Sequence, residues 1–66
     1  MPTPTAMEVR PHDDGWMLQI PGIKEPAWVV STKAKAVAAA KDAASYHGAT
    51  LSVFTKAGKL QKQIPA

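Results

Sequence analysis

Asp13-Asp14-Gly15-Trp16 constrains the fold of this chain more than any other stretch. An acidic, glycine-closed turn runs straight into a bulky aromatic, and Leu18 and Ile20 follow at alternate positions. A turn of this chemistry between alternating segments marks a β-hairpin, and Gly15 is free to take a positive φ. Before it, Met7-Glu8-Val9-Arg10 alternates as a short strand that Pro11 is expected to limit. After it, Trp16, Leu18 and Ile20 share one face of a strand, and Met17 and Gln19 the other.

The remaining elements follow from that hairpin. Pro21-Gly22 breaks the second strand, and Ala27-Trp28-Val29-Val30 forms a third, with Trp28 and Val30 on one face and Val29 on the other. Three short strands separated by turn residues form an antiparallel meander. Ser31 or Thr32 then caps a helix running from about Lys33 to Tyr46 and stopping at Gly48. Its apolar side gathers Ala36, Val37, Ala40, Ala43, Ala44 and His47, so the stripe is nearly all alanine. Ala49 to Thr55 alternates again, Lys56-Ala57-Gly58 makes a tight turn, and Lys59 to Ile64 returns as a strand with Leu60 and Ile64 on one side. The fold class is α+β: a single domain over 7–64, in the order β-β-β-α-β-β, an antiparallel sheet with one helix packed on one face. A flexible N-terminal tail, 1–6, is expected ahead of it.

With 66 residues there is room for one small core. The absence of cysteine removes disulfides, thiolate metal sites and thiol catalysis together, which leaves oligomerisation as the usual way to add buried area. The first residues lack a basic start and a long apolar core, so no signal peptide is expected. No run approaches the roughly 18 apolar residues of a membrane span. A cytoplasmic location is the expectation for a cysteine-free chain of this kind. The net charge is +3, from eight Lys and Arg against five Asp and Glu, a mild basic bias.

Val9, Pro11, Asp14-Gly15-Trp16, Thr32, Ala36, Ala40, Ala44, Gly48 and Ala57-Gly58-Lys59 together form a recognisable pattern. In order and spacing the chain resembles the small bacterial domain-of-unknown-function family 2188, across roughly residues 7–64. That family shows a Val-x-Pro start, an Asp-Gly-Trp turn, a Thr leading an alanine-rich helix, and a Gly-closed hairpin. This chain departs from it by carrying Lys33 and Lys35 where an acidic residue is usual in the first helical turn. The resemblance implies no activity, cofactor or catalytic residue.

The candidate sites are therefore weighed on their residues. His12, Asp13 and Asp14 read as a turn whose carboxylates satisfy backbone amides, since no further ligands accompany them. His47 sits at the helix C-terminus without an orienting partner, and the serines have no nucleophile context. No catalytic, cofactor-binding or metal-binding residue is identified, no small-molecule substrate is evident, and an enzyme is not expected. Trp16 and Trp28 are read as core.

If the helix covers the face bearing Trp16, Leu18, Val30, Leu51, Val53 and Leu60, then Met17, Val29 and Phe54 point away from it. These three form a candidate partner surface, and a homodimer through sheet faces or edge strands is the simplest partner. The alternative is weak, mainly electrostatic nucleic-acid binding through Lys33 and Lys35 at the helix start and Lys56, Lys59 and Lys62 on the last hairpin. A single arginine, Arg10, argues against base-specific readout.

Overall fold

The computed structural model describes residues 6–65. Of the expected tail, 1–5 lie outside the described residues, and Ala6 opens the first strand. Strand β1 covers Ala6–His12, β2 Gly15–Gln19 and β3 Trp28–Val30. Helix α1 covers Lys33–His47, and β4 Thr50–Phe54 and β5 Leu60–Ile64 follow. The five strands form one sheet in the order β3-β2-β1-β4-β5. The α+β class and the element order match the sequence expectation.

The sheet is mixed, not purely antiparallel. β1 pairs β2 antiparallel on one side and β4 parallel on the other. The cause lies in α1: a helix that crosses the sheet returns the chain to the end where β3 began. β4 must then run with β3, and therefore with β1.

Pro11 does not end β1, which continues to His12. In the hairpin His12 faces Gly15 and Pro11 faces Trp16. With His12–Gly15 closing the two-residue turn as the hydrogen-bonded pair, Pro11 occupies the next, non-hydrogen-bonded position. Its missing N–H points to the other side, where the β1–β4 ladder has already stopped at Val9–Val53. Asp13 and Asp14 keep negative φ while Gly15 takes +141°. The hydrogen bond within the turn uses the imidazole of His12, whose Nδ1 accepts from the Asp14 N–H at 3.0 Å, where carboxylate acceptors were expected.

Thr32 caps α1. It has extended backbone, and its Oγ1 accepts from the Lys35 N–H at 3.2 Å. At the other end Gly48 adopts φ +67°, its N–H directed to the carbonyls of Ala44 and Ser45, and Ala49 N–H reaches Ala44 O at 2.8 Å. That is a Schellman close. His47, the last helical residue, is exposed and stands outside the apolar stripe where periodicity placed it.

Ala36, Ala40 and Ala44 are the buried residues of the helix. Spaced by four, they form a flat strip that lets the helix lie close on the sheet. The volume comes from below, from Met7, Val9, Leu18, Leu51 and Val53, with Trp16, Trp28, Val30 and Ile64 packed around them. Each of these large aliphatic side chains contributes about 1.5–3 kcal/mol of burial. α1 packs against β1, β2, β3 and β4, and it leaves β5 largely uncovered.

Candidate functional site

The face of the sheet opposite α1 carries no covering element among the described residues. Cross-strand register determines what it displays. Met17 faces Val29 and Arg10 faces Met17. Phe54 faces Leu60, and the Arg10 guanidinium lies 3.9 Å from the centroid of the Phe54 ring. Val29, Met17, Arg10, Phe54 and Leu60 therefore make a continuous row across all five strands. A second, polar row runs beside it through Gln19, Glu8, Ser52 and Gln63. The Gln63 amide donates to Ser52 Oγ at 3.2 Å, and Arg10 Nε donates to Glu8 Oε1 at 3.0 Å.

The structure thus aligns Met17, Val29 and Phe54, the three residues expected to point away from the helix. It adds two that sequence reasoning left out. Arg10 was legible as an outward position, since it alternates with the buried Val9. Leu60 was not, because it was expected on the helix side. A bulge between Val53 and Phe54 makes Val53 face Lys62 but Phe54 face Leu60, so Leu60 swings to the open face with 53% of its surface exposed.

Electrostatically this face is balanced. Arg10 and Glu8 form the ion pair on it, and the lysines lie elsewhere. Lys24 is in the β2–β3 loop, Lys33, Lys35 and Lys41 are on α1, and Lys56 and Lys59 are in the β4–β5 turn. Lys62 pairs with the buried Val53 and so projects to the helix side. Arg10 lies over the Phe54 ring with its Nε engaged by Glu8, so one side chain ties β1 to β4 and to its own strand neighbour.

Of the lysines proposed for phosphate contact, Lys33, Lys35, Lys56 and Lys59 lie at the sheet end where β1, β3 and β4 finish. Asp13 and Asp14 of the first turn share that end. Lys33 is partly held, its Nζ donating to Gln61 Oε1 across from β5 and lying 5.2 Å from the centroid of the Trp16 ring. Lys62 stands apart, further along β5. Lys41 shares a groove with Lys33 and Lys62.

Among the described residues no three of His, Cys, Asp and Glu gather to hold a metal ion. His12 serves the turn, and exposed His47 meets Tyr46 edge-on at 5.0 Å. No helix of the described residues is long and apolar enough to cross a membrane.

Comparison with curated proteins found no match, and neither did comparison with solved structures. A family model does match, over residues 7–64, which is nearly the whole described chain. Its description reads "Uncharacterized protein conserved in bacteria (DUF2188)". The chain belongs to this bacterial family.

Proposed function

We propose that the chain is a non-enzymatic interaction module that associates with a second copy of itself through the open face of its sheet. The observation that carries this reading is the uncovered row Val29-Met17-Arg10-Phe54-Leu60, apolar except for an arginine already paired with Glu8. Two copies of a chain with net charge +3 repel, so they associate most easily where the lysines are not. A neutral, self-complementary face with apolar ends and polar Gln and Ser residues alongside suits a two-fold axis. Five strands about 4.8 Å apart make a face about 24 Å wide. Its two rows give roughly 350–500 Å² per copy, below the roughly 600–1,000 Å² per partner of a standard specific interface and in the range of weak, transient contacts. The dimer is accordingly weak and forms only at high protein concentration.

Light scattering over a concentration series tests this. Wild type should gain mass with concentration, and Phe54→Asp, which removes the ring from the apolar row and sets a second carboxylate beside Arg10, should stay monomeric. A wild type that is monomeric throughout the range overturns the reading. A cytoplasmic setting belongs to the same proposal and rests on the cysteine-free composition.

The gathering of Lys33, Lys35, Lys56 and Lys59 at one end of the sheet favours a second reading, weak electrostatic contact with nucleic acid there. Binding of an oligonucleotide that falls steeply with salt, and falls again in a Lys56→Glu, Lys59→Glu variant, supports it. No binding at low salt and micromolar protein removes it.

A further inference from the structure

We infer that the trough between α1 and β5 docks an acidic amphipathic helix of a partner protein. This inference concerns the opposite face from the self-association surface and goes beyond it. Because α1 covers β1 to β4 and leaves β5 open, two hollows of about 610 and 310 Å³ lie end to end beside the helix, with Lys41 lining both. Together they extend from Lys33 to Gly48, the full length of a 15-residue helix. At 1.5 Å per residue that is about 22 Å, room for four turns of a second helix lying alongside.

The walls suit such an occupant. Ala34, Ala38, Ser45 and Gly48 on the α1 side are small enough to admit a helix at close interaxial distance. Half-buried Val37 and Ile64 offer apolar contact on the floor, above the fully buried Leu51 and Val53. The rim is cationic: Lys41 and Lys62 line the trough together with Lys33, whose Nζ donates to Gln61 across it, and among the described residues no acidic side chain lines it. Apolar floor and positive rim together match a helix with one apolar face flanked by carboxylates.

The same features argue against other occupants. A second copy would present α1, whose one acid, Asp42, is outnumbered by Lys33, Lys35 and Lys41. A nucleic-acid backbone would gain from the rim but would bury its phosphates against Val37 and Ile64.

The probe is a synthetic peptide of about 16 residues, leucines on one helical face and glutamates flanking them, titrated into isotope-labelled protein. The expected result is saturable movement of the Val37, Lys41, Gln61, Lys62 and Ile64 amide signals, with Met17 and Phe54 unmoved. Lys41→Glu and Lys62→Glu should each weaken binding about two- to five-fold while leaving the melting temperature unchanged, and a leucine–lysine peptide should not bind. The inference is overturned if millimolar acidic peptide moves no trough signal. It is equally overturned if a single-stranded oligonucleotide moves the same signals at lower concentration, or if they move with protein concentration alone.

Discussion

Gly15 does two jobs at one position. Its φ of +141° lies where L side chains are strained, and a Cβ there would sit 2.1 Å from the carbonyl oxygen of Val30 at the end of β3. Gly22 separates the two effects. It occupies the third position of an Ile20-Pro21-Gly22-Ile23 turn at φ +89°, closed by an Ile23 N–H to Ile20 O bond of 3.0 Å, and nothing lies within 4 Å of its added Cβ. Gly22→Ala should therefore cost only the backbone strain, about 1 kcal/mol. Gly15→Ala must also push β3 from β2 and should cost about 2–4 kcal/mol, lowering the melting temperature by roughly 10–20 °C. Thermal unfolding followed by circular dichroism gives both, and equal losses would contradict the close-approach argument. The need for glycine after Asp13-Asp14 was legible in the sequence. Its contact with Val30 was not, because that depends on how β3 docks.

At the scale of elements, α1 is held by its caps and by the strip of alanines rather than by large side chains. Thr32→Ala removes the acceptor for the Lys35 N–H and should cost about 1 kcal/mol. Ala40 is fully buried between helix and sheet, so Ala40→Leu overfills the contact and should cost about 1–3 kcal/mol or more. Ala39 is exposed on the same helix, and Ala39→Leu should change stability by less than about 0.5 kcal/mol. Denaturant midpoints for the three variants check this, and a tolerated Ala40→Leu would mean that the helix does not sit so close. The helix, its Thr32 cap and its Gly48 stop were readable from residue types and spacing, because these are local signals. The side on which Leu60 falls was not. Alternation carries a register only until a bulge interrupts it, and Gln61 supplies the extra residue without any chemical mark of its own.

For the whole molecule, the parallel β1–β4 pairing is what gives the sheet both of its unused surfaces. It places β1 at the centre, so that Arg10 can stack on Phe54, and it sends β5 beyond the reach of α1. Pairing between strands separated by a helix leaves no pattern in a single sequence, so a purely antiparallel sheet was the simpler expectation. The outward positions of Met17, Val29 and Phe54 were legible even so, since strand alternation determines them whatever the neighbour. Their assembly with Arg10 and Leu60 into one row needed the strand order.

That row is the centre of the account, and distances between two copies of the chain test it most directly. In an equal mixture of isotope-labelled and unlabelled protein at concentrations well above the dissociation constant, isotope-filtered nuclear Overhauser spectra should show contacts between copies. They should lie among the methyl groups of Met17, Val29 and Leu60 and the ring of Phe54. Contacts between copies that arise instead from α1 or the β5 trough, or none at all in a sample of dimeric mass, would contradict it.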